Sequence, residues 1–337
     1  MAEKERSGEI PEKNGPGYVE WFREASPYIH RFRGETFLLL LDGGLLREGR
    51  MGALAHDIAL LSSLGIRLVI VFGAGPQIDA SLESRAVETA RVGRRRITPP
   101  EALVPLMESV GRIRFEIEAS LSQGTDGTPM AGSRIRVVSG NFVIGRPLGV
   151  IDGIDFLYTG TVRRIESEAI RHHLDQGDVV LLSPLAFSPT GEIFNVLAFE
   201  VASRAAVAVD AAKLILLGLA PEIRNERGEA LRQLVLPDAR ARESQSSLPF
   251  SVLYEALEQG VPASTCLTEG GTEPFCWNSS RGTGSERLYR GIRSNISVRP
   301  FSTIWSIFLG SFVPSSREVF SFEGPGSVSK WSSHTSL

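Results

Sequence analysis

Two glycine turns are the places where this chain could act on an anion. The first, Asp42-Gly43-Gly44, follows the apolar run TFLLLL; the second, Gly73-Ala74-Gly75 followed by Pro76, closes the run IRLVIVF. Glycine lets backbone N–H groups close on an anion with no side chain between them. A lone glycine pair is more often a tight turn than a ligand site. Two such turns at the ends of successive parallel strands define one anion-binding face. No lysine or arginine lies in the stretch that leads to Gly43, and Asp42 immediately precedes it.

Other candidates are weaker. Arg94, Arg95 and Arg96 form a basic run before ITPPE that reads as a solvated turn, from which Arg96 could reach a carboxylate at the sheet's open edge. His172 and His173 are neighbours on a helix, so they point apart and cannot share a metal; a solvated or half-buried role fits them. Asp155, Tyr158, Arg163 and Arg164 fall on a hairpin and read as structural. No metal ligand set and no catalytic residue is assigned.

The elements that must position the turns come from apolar periodicity. YVEWFREASPYIHRF has helical spacing, TFLLLL reads as a buried strand, and MGALAHDIALLSSLG as a helix ended by Gly65. IRLVIVFGAGPQIDASL is strand, glycine turn and helix, which completes a βαβ unit and requires parallel strands. TPPEALVPLMESVGRIRFEIEASLSQ is a long helix with Pro at its first turn. Strands and a hairpin follow in RIRVVSGNFVIGRPLGV and DFLYTGTVRRI, then a helix in ESEAIRHHLDQG. DVVLLSPLAFSPTGEIFNV reads as a buried strand and a β-hairpin, EVASRAAVAVDA as a small-residue helix, and KLILLG as a further buried strand. This alternation implies an α/β fold: a three-layer sandwich with a mostly parallel central sheet and helices on both faces.

The 337 residues can hold one large α/β domain or two smaller ones, and a net charge of -3 gives no global argument for nucleic acid or anionic membrane. Small molecules are the expected partners. The segment 1–16 is charged, carries Pro and Gly and has no apolar core, so it reads as a disordered leader and not as a signal peptide or anchor. Both cysteines, Cys266 and Cys276, lie late in the chain, which with that leader fits a cytoplasmic location.

The order FLLLLDGG, LGIRLVIVFGAGPQID, RRRIT, GNFVIGRPLGVIDGIDFLYTGTVRRI, VVLLSPLAFSPTGEIFN and AAKLILL resembles the amino-acid kinase fold, in its N-acetylglutamate branch, over residues 17–262. That branch holds N-acetylglutamate kinase and the kinase-like domain of N-acetylglutamate synthase, an amino-acid N-acetyltransferase. The leading helix and VVSGNFVIGRPLGV are closer to the synthase. The kinase pattern has a lysine two residues before its first glycine pair, where this chain has Leu41, and an aspartate where it has Phe199; Leu197 replaces an asparagine and Ala74 a glycine. The resemblance implies a kinase-like site remnant at Gly43, Gly44, Gly73, Ala74, Gly75, Asn195 and Lys213. Asn195 matches the kinase asparagine that holds the acylated amino acid, although a hairpin-end side chain bonding its own backbone reads equally well. Lys213 matches the second lysine. Phosphoryl transfer depends on positioned opposite charge, so no kinase turnover is expected. The resemblance further implies acetyl-CoA as co-substrate of the full-length family member, with no cofactor on this chain. L-glutamate and the effector L-arginine are the other implied partners, with a homo-oligomer built through the helix of residues 17–31. An active acetylglutamate kinase and a catalytically silent arginine-binding module are the alternatives.

From residue 263 the alternating apolar pattern stops, serine dominates, and Trp277, Trp305 and Trp331 appear, which an ordinary disordered tail would not hold. A one-base shift is compatible with the residues. Ser264 to Thr268, written TCC ACC TGC TTG ACG, becomes HLLD, and Phe275 to Ser280 becomes LLELF. SIFLGSFVPSSREVF can yield HILGLIRPLEQGGVL, which resembles the opening of the synthase's acetyltransferase domain. The segment 263–337 is therefore expected to be a frameshifted, unpacked tail that lacks this domain, with the chain inactive as encoded.

Overall fold

The computed structural model describes residues 26, 29–47, 51–123, 135–218, 233–235, 256, 258–261, 263–267 and 275–278. Its centre is a sheet of apolar strands: β1 (Thr36–Leu41), buried at all six positions, β2 (Arg67–Phe72), β10 (Val179–Leu182) and β13 (Lys213–Leu217). Continuous Leu, Ile and Val runs suit strands covered on both faces. With β5 (Val137–Ser139), β14 (Gln233–Val235), β15 (Ala263–Leu267) and β16 (Phe275–Asn278) they form eight strands in the order β14-β16-β15-β13-β1-β2-β10-β5. All of these pairings are parallel except that of β15 with β16.

Successive residues of each strand point to opposite layers. Leu39, Ile70 and Ile215 face a core shared with α2 (Met51–Ser63), α3 (Gly75–Ser84) and α4 (Pro100–Ser122), through Ile58, Ile78 and Ile113. Leu38, Leu40, Val69 and Leu214 face the other core, with Ile170 of α5 (Ser167–Asp175) and Val201, Ala202 and Ala205 of α6 (Ala198–Ala208). The result is the expected three-layer sandwich. The register sets Leu41 beside Phe72 and Leu217, so the two glycine turns emerge side by side at one sheet edge.

A smaller sheet lies beyond that edge, in the order β12-β11-β6-β9, from β6 (Val143–Pro147), β9 (Gly160–Ile165), β11 (Leu185–Phe187) and β12 (Ile193–Asn195). Its tight packing depends on Gly160, where a Cβ would sit 2.5 Å from Phe194 Cβ. Two hairpins complete the architecture: β3 (Arg91–Val92) with β4 (Arg95–Arg96), and β7 (Val150–Ile151) with β8 (Ile154–Asp155).

Two sequence expectations change here. Gly43 and Gly44 do not form a bare turn but open a short helix, α1 (Gly43–Arg47). Nor does pairing stop at residue 262, since β15 runs parallel to β13 with Leu214 beside Ser264, and β16 pairs with β15. The physical reason is that a strand edge offers backbone N–H and C=O groups, and such a ladder accepts any sequence without proline, apolar alternation or not. Of the leading helix, Ser26 and residues 29–32 are described as helical; the segment 1–16 lies outside the described residues.

Candidate functional site

The two glycine turns, the β3–β4 hairpin, the end of β12 and the start of α6 enclose a cavity of about 340 Å³. Glycine is required where the turns meet: a Cβ on Gly43 would lie 2.8 Å from Pro76 Cδ, and one on Gly73 would lie 3.1 Å from the Gly43 nitrogen. Gly43, Gly73, Ala74, Gly75 and Asn195 all line this cavity, so five of the seven residues assigned from sequence converge; Gly44 is the next residue of the same turn. Its amide is already engaged, however, because Gly44 N–H donates to Asp42 Oδ2 at 2.8 Å. The anion that a free glycine turn would invite is supplied by the chain itself.

Lys213 does not belong to the site. It stands at the amino end of β13, beside Phe37 at the start of β1, whereas the glycine turns follow Leu41 at the carboxyl end. Four residues of strand, about 13 Å at 3.3 Å each, separate the two levels. Lys213 is 3% exposed, with Nζ 4.6 Å from the centre of the Phe32 ring and 5.7 Å from that of Phe37. The sequence order AAKLILL places a lysine near the strand without fixing which end of the strand carries it.

The cations of the cavity are arginines. The basic run is the turn and second strand of the β3–β4 hairpin, with Arg94 exposed as a solvated turn requires, Arg95 half-buried and Arg96 buried against a carboxylate, and Arg91, Arg94, Arg95 and Arg96 all line the cavity. Three of them are committed to acids. Arg96, 6% exposed, binds Asp79 and Thr89, and Arg91 donates to both oxygens of Asp79 at 3.0 Å. Burial alone would raise the Asp79 pKa, but hydrogen bonds from Arg96 and Arg91 outweigh it and hold the carboxyl below its ordinary value. Arg95 pairs with the buried Glu200 at 2.9 Å, and Glu200 also accepts from Val162 N–H at 2.8 Å and from the Thr161 hydroxyl. Arg94 has no carboxylate partner among the described residues and lies 5.9 Å over the Phe199 ring. Partial burial lowers its pKa, yet a guanidinium so placed stays charged at neutral pH.

The cavity wall is tied together by a hydrogen-bond chain of fixed direction. Thr159 Oγ1 donates to the Arg96 carbonyl, so its lone pair must accept from Thr98 Oγ1 at 2.9 Å, and Thr98 in turn accepts from Asn195 Nδ2 at 3.0 Å. The Asn195 side chain therefore bonds across to another segment, where a bond to its own backbone was the alternative expectation. Its Nδ2 is engaged in positioning the wall.

Leu41, fully buried, and Phe199 line the cavity where the kinase pattern has a lysine and an aspartate. Among the lining residues there is no lysine, histidine or cysteine, and the one carboxylate, Asp42, is engaged with Gly44. Among the described residues, the charges that such a site offers an anion are arginines. His172 and His173 lie outside it, with His173 Nδ1 3.2 Å from Asp178. Sequence reading missed Asp79, Thr98, Thr159 and Glu200. The available signal was a lone acid or hydroxyl within otherwise apolar or arginine-rich surroundings.

Fold and site together define a kinase-type α/β sandwich with an arginine-lined cavity beside its glycine turns. The Amino acid kinase family matches residues 39–241, and the chain belongs to that family. Within it the chain falls in the N-acetylglutamate synthase branch. It is 44% identical over 237 residues to the amino-acid acetyltransferase of Ralstonia nicotianae, covering 70% of this chain and 52% of that relative. N-acetylglutamate synthase from Neisseria gonorrhoeae, solved with coenzyme A and L-arginine, superposes with a TM-score of 0.72 at 32% identity, over 78% of this chain and 66% of that one. A second structure of that enzyme, with coenzyme A and N-acetyl-glutamate, gives 0.68 at 35% identity, over 74% of this chain and 58% of that one. The chain spans about half the length of the curated relatives it matches. No helix among the described residues is long and apolar enough to cross a membrane.

Proposed function

We propose that this chain is the kinase-like part of a cytoplasmic N-acetylglutamate synthase, which makes N-acetyl-L-glutamate from L-glutamate and acetyl-CoA in the first step of arginine biosynthesis. Its role is to sense L-arginine and to build the oligomer, the latter through the helix of residues 17–31. The observation that carries this reading is a kinase cavity with Leu41 and Phe199 in place of catalytic charges, in a chain 44% identical to an amino-acid acetyltransferase. Acetyl transfer belongs to the part of the relatives that this chain does not match. We further propose that the reading frame changes near residue 263. The strands β15 and β16 are compatible with this because backbone pairing is largely indifferent to side chains.

One set of assays separates the alternatives: the purified chain with glutamate and acetyl-CoA, with N-acetylglutamate and ATP, and with arginine alone. The expected results are no acetyl transfer, no phosphorylation and a change in mass or stability with arginine. ATP-dependent phosphorylation of N-acetylglutamate above background would overturn the reading. Sequencing the gene tests the frame, and codons that cannot be read with the shift refute it.

A further inference from the structure

The β3–β4 hairpin is held by charge and not by apolar packing. Its strands are two residues each, Arg91–Val92 and Arg95–Arg96, too short to be stable as a free hairpin. Among the described residues, neither hydrophobic core includes any residue from Ala90 to Arg96, and Val92, the apolar side chain of the first strand, is 41% exposed. Guanidiniums fix it instead.

Their directions follow from the pleat. Arg95 and Arg96 are consecutive in β4, so their side chains leave on opposite sides. Arg96, with its cross-strand partner Arg91, reaches Asp79 on α3, a helix that packs on one face of the central sheet. Arg95 reaches Glu200 at 2.9 Å on α6, which packs on the other face, and donates to the Gly160 carbonyl at 3.2 Å. The hairpin thus ties the two helical layers together beside the glycine turns, and its arginines line the cavity between them. The two ties differ in exposure: the Asp79 side chain is 53% exposed and that of Glu200 9%, so salt screens the first pair more than the second.

We propose that the hairpin is a strap that gates the cavity, latched to α3 through Asp79 and to α6 through Glu200, and that it lifts as one unit only when both latches open. The strap acts on whatever enters the cavity, and so stands apart from the synthase reading.

The test is amide hydrogen exchange of the full chain, native and with Asp79→Asn, Glu200→Gln and both changes. The reporter is Ile97, whose N–H donates to the Ala90 carbonyl at 2.9 Å across the base of the hairpin. Each single change should speed exchange at Ile97 about fivefold or more, since each removes a charge-assisted pair. The double change should speed it by the product of the two factors, because one opening breaks both pairs. Ile70 and Ile215, buried in the central sheet, report global unfolding and should change by less than Ile97. Added sodium chloride should speed Ile97 more in Glu200→Gln, whose remaining latch is exposed, than in Asp79→Asn. Ala74→Cys places a thiol in the cavity, and its labelling by a small maleimide, located by peptide mass, should accelerate together with Ile97 exchange. Arg91→Gln, at a partly exposed side chain, weakens the Asp79 latch from the strap side and keeps the test open if the double variant fails to fold. The proposal fails if neither single change speeds Ile97, if Ile97 and the central sheet rise together, or if the double change is no faster than the faster single one. It fails equally if the cavity thiol keeps its native labelling rate while Ile97 is released.

Discussion

The two ends of the central sheet hold the same chemical pair, a cation over an aromatic ring, and use it for different purposes. At the amino end Lys213 is sealed over Phe32 and Phe37; at the carboxyl end Arg94 lies over Phe199 at the edge of an open cavity. The difference comes from strand direction. In a parallel sheet every strand delivers its following loop to the same edge, so the two glycine turns meet there, and the arginine hairpin and the start of α6 line the cavity beside them, while the opposite edge receives the strands' first residues. A cation at one end is sealed into the packing; the same charge at the other lines a cavity.

The sharpest way to break this contrast is to open the sealed end. Phe37→Ala removes a buried ring that packs on Phe32 at 5.2 Å between centres and lies against Lys213. It should destabilise the fold by about 3–5 kcal/mol, measured by denaturant unfolding. Anion binding at the far edge should be unchanged in the molecules that remain folded, and a parallel loss of binding would show the two ends are not independent.

Glu200→Gln acts on the open end. It strands Arg95 beside a neutral amide, and since Arg95 keeps partial contact with water the loss should be about 2–3 kcal/mol, below that for a fully buried pair. The same change adds net positive charge to the cavity, so anion affinity should rise while stability falls. A fall in both would show that the Glu200 charge does not oppose anion binding at this edge.

A glycine change sharpens the geometry of that edge. Gly73→Ala places its Cβ 3.1 Å from the Gly43 nitrogen, tight enough to push the turns apart at a cost of about 1–2 kcal/mol. Gly75→Ala meets nothing within 4 Å and serves as its control in thermal melts.

The smallest effect is a pH dependence. Asp79 has a folded pKa below its ordinary value, so its contribution is fully present above the unfolded carboxylate pKa and is lost as pH falls through the lower folded value. Much of this side chain faces water, which makes the slope shallow. Stability measured on the acid side should fall less steeply in Asp79→Asn than in the native chain.

How much of this the sequence carried depended on distance along the chain. TFLLLL, RLVIVF and VVLL were legible as strands because their apolar runs are continuous, and the helix from Pro100 because its period is sustained over 23 residues. The glycine turns were legible for the same local reason. The ion pairs were not, since Arg95 meets Glu200 across 105 positions and Arg96 meets Asp79 across 17, and no local pattern announces such partners. Lys213 was misassigned by the converse error: motif order fixed its neighbourhood in sequence, while the strand's direction fixed its place in space.

The directed chain from Asn195 through Thr98 and Thr159 to the Arg96 carbonyl has a kinetic consequence. It joins segments 61 and 97 positions apart, and the backbone repeats the junction, with Tyr158 N–H donating to the Thr98 carbonyl and Asn195 N–H to the Tyr158 carbonyl. Contacts between such distant segments lose more chain entropy on forming than local ones and yield no partial return, since a hydroxyl whose single proton is already given away cannot be repartnered without turning the whole series. The amide protons of Tyr158 and Asn195 should therefore exchange with solvent as one cooperative unit, opening together or not at all.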